Sequence, residues 1–193
     1  MKKIPTLFER VYREHKIVDV LPNITKGCED AFLYGKATIK FDGSCCAIIN
    51  GEFYKRYDAK NGKPIPEGAI KCQEDADLIT GHLPCWVKCD KNNPSDKWFW
   101  NAYTNTEELT VDISDGTYEA VGKHFQGNPY NYENDYLIKH GESEEEVVRT
   151  FEGVKEFLTN NILEGIVFWY NDEPVCKIKR TDFGLEWPVK EQL

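Results

Sequence analysis

The sequence lacks any apolar run long enough to cross a bilayer, and no apolar segment follows its N-terminus, Met1-Lys2-Lys3-Ile4-Pro5. It also lacks internal repeats and low-complexity segments. Positive charge is scarce overall, because 24 lysine and arginine residues face 33 aspartate and glutamate residues, for a formal net charge of −9. A broad, non-specific binding surface for nucleic acid is therefore not expected. We expect one domain without a membrane partner.

Disulfide bonds are not expected, because the seven cysteines are odd in number and a chain of 193 residues needs no cross-links to form a core. This favours the cytoplasm or another reducing intracellular compartment. Cys72, His82, Cys85 and Cys89 form one loose cluster with some likeness to a zinc site. A structural zinc site usually has two tight pairs of ligands, so we interpret these cysteines as ordinary buried thiols.

Basic residues are concentrated between positions 36 and 71, where seven lysine and arginine residues face four acidic ones. The same segment has the clearest local structure. Asn50-Gly51 predicts a two-residue turn between strands over Cys45–Ile49 and Glu52–Tyr57. A turn of this length pairs Ile49 with Glu52 and therefore places Cys45 opposite Arg56.

The C-terminal third predicts a helix followed by a second hairpin. Ser143-Glu144-Glu145-Glu146 is a capping box with acidic residues in the first turn, which indicates that a helix begins there. Strands over Ile162–Tyr170 and Val175–Lys179 follow, joined by a turn at Asn171–Pro174. Upstream, Gln73–Ser95 is predicted to be irregular. Strands joined as hairpins beside a few helices predict the α+β class with antiparallel sheets.

A short turn in the second hairpin predicts a register with Phe168 opposite Lys177 and Ile166 opposite Lys179. Glu164, Lys177 and Lys179 would then share one face of the sheet, beside the apolar side chains of Ile166 and Phe168. A carboxylate and two lysines on one face suit a polyanion together with a divalent metal ion.

The segment Lys40-Phe41-Asp42-Gly43 places a lysine and an aspartate two residues apart, which predicts that both side chains lie on one face of a strand. A lysine acts as a nucleophile only as the free amine, and the reference pKa of its ammonium group is about 10.4. Burial and neighbouring cations lower that pKa, and we expect Lys177, Lys179 and a metal ion to supply the cations.

Five segments occur in this order along the chain: Lys40-Phe41-Asp42-Gly43, Arg56, Tyr118-Glu119-Ala120-Val121-Gly122, Glu164-Gly165-Ile166-Val167 and Lys177-Ile178-Lys179. The order resembles that of the motifs shared by polynucleotide ligases and mRNA capping enzymes. Further segments are Lys55-Arg56-Tyr57-Asp58-Ala59-Lys60, Gly81-His82, Asp96-Lys97-Trp98, Gln126-Gly127-Asn128-Pro129-Tyr130 and Asp182-Phe183-Gly184. With these included, the sequence resembles the small ATP-dependent 5′–3′ RNA ligase family.

The resemblance implies a reaction that uses ATP and Mg²⁺ (or Mn²⁺). Lys40 would attack the α-phosphorus of ATP to form lysyl-AMP, the AMP would pass to an RNA 5′-phosphate, and an RNA 3′-hydroxyl would displace it to join the ends. The resemblance also implies residue roles: nucleotide binding by Ile39, Lys40, Arg56, Glu119, Lys177 and Lys179, metal binding by Glu164 and Asp42, and catalytic roles for Lys40, Asp42, Lys177 and Lys179.

The implied fold is a single ligase-type nucleotidyltransferase (adenylation) domain over residues 1–193, with antiparallel sheets flanked by helices and the nucleotide in the cleft between the sheets. Fourteen residues follow Lys179, so we expect no appended OB-type domain, and we expect a monomer. Tyr136 and His140 are candidates for the base-stacking residue, although a structural role is the first interpretation of each. Trp98-Phe99-Trp100 is interpreted as core packing.

Three other functions remain open from the sequence. The enzymatic alternatives are a DNA nick ligase and a GTP-using capping guanylyltransferase. The alternative from another class is a non-catalytic nucleotide- or RNA-binding module. Lys40 distinguishes the last alternative, because a module that only binds needs no nucleophile beside two cations.

Overall fold

A computed structural model of the protein describes residues 1–14, 16–60, 63–78, 80–109 and 113–189. The α-helices and strands, in chain order, are β1 (Phe8–Arg13), β2 (Lys16–Ile24), α1 (Glu29–Tyr34), β3 (Lys36–Lys40), β4 (Ser44–Ile49), β5 (Glu52–Ala59), β6 (Ile70–Lys71), β7 (Leu83–Lys88), α2 (Lys97–Leu109), β8 (Gly116–Val121), β9 (Tyr136–Lys139), β10 (Glu144–Glu145), α3 (Phe151–Asn160), β11 (Gly165–Tyr170) and β12 (Glu173–Lys179). Short 3-10 helices cover Pro94–Asp96 and Arg180–Phe183. The class is α+β, and the named strands pair antiparallel, as predicted. Among these described residues, no helix has the length and apolar character needed to span a membrane.

The chain divides into two compact units. Unit 1 comprises Met1–Lys3 and Asp42–His140, and it contains a six-stranded sheet in the order β6-β7-β5-β4-β8-β9. Unit 2 comprises Ile4–Phe41 and Gly141–Leu193, and it contains a four-stranded sheet in the order β10-β3-β11-β12 and the two-stranded sheet β1-β2. That residues 1–193 act as a single nucleotidyltransferase domain stays a prediction.

In unit 1, one face of the six-stranded sheet packs against α2. The side chains between them form a hydrophobic cluster, whose buried members include Ile48, Phe53, Ala102 and Leu137. The segment Trp98-Phe99-Trp100 lies at the start of α2 and packs against the cluster, as expected for core residues. Because side chains alternate along a strand, the residues adjacent to these core positions lie on the opposite face of the sheet.

The first hairpin forms as predicted. Asn50 and Gly51 have positive φ angles of 53° and 73°, and Ile49 pairs with Glu52. The prediction of an irregular Gln73–Ser95 is wrong, because β7 lies within it and pairs along the length of β5. This pairing joins residues about thirty positions apart, so the sequence around Pro84 has no local signal that predicts a strand.

In unit 2, the core lies between the four-stranded sheet and the helices α1 and α3. Ile166, Phe168 and Ile178 are fully buried on one face of the sheet, and Phe32 and Leu158 contribute from the two helices. Phe32 and Phe168 meet edge to face with ring centroids 5.5 Å apart.

The prediction that a helix begins at Ser143 is wrong. Glu144 and Glu145 form the short strand β10, which pairs with Thr38 and Ala37 of β3. The helix begins instead at Phe151, where the side chain of the N-cap residue Thr150 accepts a hydrogen bond of 3.0 Å from the Gly153 N–H. Thr150 thus supplies a cap closer to the apolar repeat, and the acidic segment is free to pair with the edge of β3.

The register predicted for the second hairpin is wrong by one residue. Asn171 and Asp172 form the two-residue turn with positive φ angles, and Tyr170 pairs with Glu173. A bulge at Val175 then shifts the pairing, so that Phe168 lies opposite Cys176. Consequently Lys177 and Lys179 lie on the face opposite to Ile166 and Phe168, since a one-residue shift moves every side chain to the other face. The remaining pairs are Gly165 with Lys179, Ile166 with Ile178 and Val167 with Lys177.

Candidate active site

Three lysines lie on the face of the unit 2 sheet that points away from its core. Gly165 of β11 pairs with Lys40 on one side and with Lys179 on the other, and Val167 pairs with Lys177. Directly opposed residues and residues two apart on one strand share a face. Lys40, Lys177 and Lys179 therefore form one cationic group across three neighbouring strands.

The carboxylate of Glu164 bridges two of these lysines. One of its oxygens accepts a hydrogen bond from the Lys40 ammonium group, and the other accepts one from the Lys179 ammonium group. Glu164 itself is only 4% exposed. The sequence predicted this carboxylate and these lysines on one face; the structure shows that Glu164 precedes β11 and reaches Lys40 as well.

Glycine at position 165 allows the strands on either side to approach. A Cβ atom there would lie 2.2 Å from the Ile178 carbonyl oxygen and 3.0 Å from the Lys179 Cα. Any side chain would push β12 away from β11, and with it Lys179 away from Glu164.

Lys177 is the third member of the group, and its ammonium form is disfavoured. Burial has the largest effect, and the neighbouring charges of Lys40 and Lys179 add to it, so that the pKa of Lys177 is lowered to about 8. The Glu164 carboxylate opposes this shift and Arg10 contributes weakly to it. A half-buried amine that is partly neutral near physiological pH is a frequent feature of functional sites.

An ion pair between Arg10 and Asp182 fixes the end of β12 next to Lys179. The Asp182 carboxylate, which is almost fully buried, accepts hydrogen bonds of 2.9 Å from the Lys179 backbone N–H and 2.9 Å from the Arg10 Nε. The Arg10 Nη2 lies 2.7 Å from the same carboxylate. Asp182 belongs to one of the segments that carry the family resemblance, whereas the sequence has no local signal for Arg10.

Ile39 and Asp42 do not share the sheet face that carries the three lysines. The Ile39 side chain packs against the unit 2 core, and its N–H donates to the Ser143 carbonyl oxygen. The prediction that Lys40 and Asp42 lie on one face of a strand is wrong, because β3 ends at Lys40. Asp42 belongs to unit 1, where its N–H donates to the Tyr130 hydroxyl over 2.6 Å. The nucleotide and metal roles of these two residues stay predictions.

In unit 1, Arg56 lies beside Cys45, as the hairpin register predicted. The Arg56 guanidinium donates to the Asp58 carboxylate over 2.9 Å and to the Met1 carbonyl oxygen over 3.1 Å. Burial and the Glu119 carboxylate raise the pKa of the Cys45 thiol to about 12, although Arg56 opposes the shift.

Glu119 is held by a histidine on the same face of the unit 1 sheet. The His140 Nε2 lies 2.9 Å from the Glu119 carboxylate, and the His140 Nδ1 lies 3.0 Å from the Thr117 hydroxyl. Both ring nitrogens of His140 therefore have polar partners on this face, and its role as a base-stacking residue stays a prediction. Tyr136 contacts Tyr132 edge to face, with ring centroids 6.1 Å apart.

Metal-binding groups differ between the two units. Glu164 offers carboxylate oxygens of the kind that Mg²⁺ and Mn²⁺ prefer, and the two oxygens accept hydrogen bonds from the ammonium groups of Lys40 and Lys179. In the described part of unit 1, the ligand atoms of Cys45, Glu119 and His140 all lie within 4.8 Å of one another. Among the described residues, the ligand atoms of Cys72, His82, Cys85 and Cys89 do not converge in this way; Cys85 and Cys89 are buried and Cys72 is half-buried.

Comparison with known proteins adds a distant relationship. No protein-family model matches the chain. RNA ligase 1 of Pongo abelii is 26% identical, and that of Rattus norvegicus 24%, each over 93% of this chain and 77% of the relative. RNA ligase 1 of Danio rerio is 24% identical over 70% of this chain and 48% of the relative. The similarity covers most of the chain and supports an RNA ligase family.

Proposed function

We propose that this chain is an ATP-dependent RNA ligase that acts through lysyl-AMP on Lys40. The observation that carries the proposal is the Glu164 carboxylate bridging Lys40 and Lys179, with Lys177 beside them. The distant similarity to RNA ligase 1 and the order of the sequence motifs support the same function. The ligase-type nucleotidyltransferase fold is part of this proposal.

The first step of the proposed reaction transfers AMP to the protein. The neutral Lys40 amine attacks the α-phosphorus of ATP; a P–N bond forms, the P–O bond to pyrophosphate breaks, and one amine proton leaves to solvent. Lys177 and Lys179 supply positive charge to the phosphate oxygens, where negative charge develops. Arg56 and Glu119 keep their proposed role in nucleotide binding.

Glu164 has a double role in this scheme. While it is paired with Lys40 it favours the ammonium form, which cannot act as a nucleophile. Glu164 would also hold Mg²⁺ or Mn²⁺, and the ion would supply charge neutralisation for the phosphates. A carboxylate engaged in that way no longer stabilises the Lys40 ammonium, so the amine can lose its proton.

The second and third steps join RNA. A 5′-phosphate oxygen attacks the phosphorus of lysyl-AMP, the P–N bond breaks, and the lysine nitrogen takes up a proton from solvent as it leaves, which restores the Lys40 amine. A 3′-hydroxyl oxygen then attacks the 5′-phosphorus, AMP leaves, and the hydroxyl proton passes to solvent. Positioning of the ends accounts for much of the rate in such transfers.

Covalent labelling tests the proposal. Incubation with Mg²⁺ and ATP labelled at the α-phosphate should give an acid-labile, base-stable protein adduct with the mass of AMP. Lys40→Ala should abolish the adduct, whereas the matched control Lys155→Ala, at an exposed position on α3, should retain it. Labelling that survives Lys40→Ala refutes the site.

The same assay separates the alternatives. A GTP-only adduct would indicate a capping guanylyltransferase, and an adduct that seals nicked DNA but not RNA ends would indicate a DNA ligase. ATP binding without any adduct would indicate a binding module. Lys177→Ala and Lys179→Ala should each slow labelling by about 10²–10³-fold.

A further inference from the structure

Cys45, Glu119 and His140 bring three different metal-binding groups together on one face of the unit 1 sheet. Cys45 of β4 pairs directly with Glu119 of β8. His140 follows the last residue of β9, and its N–H donates to the Thr117 carbonyl oxygen over 3.0 Å, which continues the β8–β9 ladder by one residue. The thiol, the carboxylate and the imidazole are therefore positioned by regular sheet pairing.

The distances between these groups suit one small ion. Their ligand atoms all lie within 4.8 Å of one another, and the His140 Nε2 and the Glu119 carboxylate are already 2.9 Å apart. In a tetrahedral zinc site with bonds of about 2.0–2.3 Å, neighbouring ligand atoms are about 3.4–3.7 Å apart. Side-chain shifts of roughly 1 Å therefore convert the observed cluster into a coordination site.

The imidazole is oriented for coordination by a neighbouring hydroxyl. Thr117 Oγ1 lies 3.0 Å from the His140 Nδ1 and can accept its proton in a hydrogen bond. When an ion is bound, that bond would leave the Nε2 lone pair for the ion, in place of the hydrogen bond that Nε2–H donates to the Glu119 carboxylate in its absence. Metal-binding histidines are commonly fixed by such a contact from the second ring nitrogen.

The charges also favour a divalent ion. The Cys45 thiolate and the Glu119 carboxylate together carry two negative charges, equal to the charge of the ion. The nearby cation Arg56 is already balanced by Asp58, over 2.9 Å. Sulfur and imidazole ligands select zinc over magnesium, so this cluster differs in chemistry from Glu164, which offers only carboxylate oxygens.

We propose that Cys45, Glu119 and His140 bind a Zn²⁺ ion, with a fourth coordination position left for water. Cys45 binds as the thiolate, and its proton passes to solvent when the ion binds. Because Glu119 is also a proposed nucleotide ligand, Zn²⁺ at this site would compete with ATP and inhibit self-adenylation. This second part rests on the proposed function; binding of the ion does not.

Cobalt substitution tests the site without nucleotide or RNA. Co²⁺ titrated into the reduced protein should give, at one equivalent, a sulfur-to-cobalt charge-transfer band, and Zn²⁺ should remove it. Cys45→Ser should abolish the band, whereas Cys72→Ser, at another half-buried free thiol of unit 1, should retain it. His140→Gln should weaken Co²⁺ binding by about tenfold or more. Circular dichroism of each variant would confirm that it folds.

The proposal is overturned if no charge-transfer band develops, or if the band persists in Cys45→Ser. Competition is measured separately: Zn²⁺ should inhibit AMP labelling, and the inhibitory concentration should rise about tenfold or more in Cys45→Ser, relative to that variant's own uninhibited labelling. Equal sensitivity of the variant and the unmodified protein would refute the competition. Absence of an AMP adduct would refute the ligase function and leave the cobalt result standing.

Discussion

Glu164→Gln removes the negative charge between Lys40 and Lys179 while keeping the size of the side chain. Loss of one partner from a buried ion pair typically costs about 3–5 kcal/mol, because the remaining charge is unpaired. The Glu164 side chain is 5% exposed, but the Lys40 and Lys179 side chains are 21% and 32% exposed, so water reaches both ammonium groups. We therefore expect the free energy of unfolding to fall by a smaller amount, about 2–3 kcal/mol.

Urea unfolding followed by circular dichroism measures this loss. With an m-value of about 2 kcal/mol/M, the unfolding midpoint should decrease by about 1–1.5 M urea at pH 7. Glu156→Gln is the matched control, because Glu156 is an exposed residue of α3 in the same unit. It should change the free energy of unfolding by no more than about 0.5 kcal/mol, the range of ordinary surface substitutions, and hence the midpoint by no more than about 0.25 M.

Glu156→Gln also sets the criterion for this prediction. A loss of stability in Glu164→Gln that equals the loss in Glu156→Gln would refute an electrostatic role for Glu164.

Three further predictions follow from neighbouring contacts. The ¹³Cε resonance of Lys177 should titrate near pH 8 in the unmodified protein, since its pKa is lowered to about 8. In Lys179→Met it should titrate at higher pH, because one neighbouring cation is gone. A titration above about pH 10 in the unmodified protein would contradict the lowering of the pKa by burial and neighbouring cations. Asp182→Asn should lower the free energy of unfolding by about 2–3 kcal/mol, because it leaves the half-buried Arg10 unpaired; an unchanged urea midpoint would show that the ion pair contributes nothing. Gly165→Ala should cost about 3 kcal/mol and reduce AMP labelling, because the new Cβ would lie 2.2 Å from the Ile178 carbonyl oxygen. Normal stability together with normal labelling in this variant would show that β12 can move aside freely.

Arg180 follows Lys179 directly, yet it is unsuitable as a control position for the lysine substitutions. On β-strand alternation alone, its side chain is expected to leave the lysine face and to matter little. The structure buries Arg180, and its guanidinium donates to the carbonyl oxygens of Leu158 and, over 2.8 Å, Asn161. Both carbonyls lie at the C-terminal end of α3, so Arg180→Ala would lower stability and confound a comparison of activities.

The parts of the fold that depend on local chemistry could be predicted from the sequence. Asn50-Gly51 determined its turn because both residues tolerate positive φ angles, and the turn length then fixed the pairing of Ile49 with Glu52. The common face of Lys177 and Lys179 likewise follows from the two-residue repeat of a strand. These inferences need no knowledge of distant residues.

The parts that depend on distant partners could not be predicted. Glu144-Glu145 has the composition of a helix start, yet it forms a short strand because it pairs with the edge of β3. The bulge at Val175 moved the register of β12 by one residue, and no residue type in the hairpin signals it. Arg10 reaches Asp182 across 172 positions of sequence, so its contribution to the site is visible only in the fold.

The two residues of the Lys40–Glu164 ion pair are synthesised far apart in time. Lys40 and Glu164 are separated by 124 residues, which corresponds to roughly 6–25 seconds of translation at about 5–20 residues per second. Unit 1 is encoded almost entirely in the interval, by the continuous stretch Asp42–His140. A nascent chain can therefore complete the contacts of that unit while its proposed nucleophile is still without its carboxylate, and truncated translation products that end within unit 1 lack the group that binds Lys40.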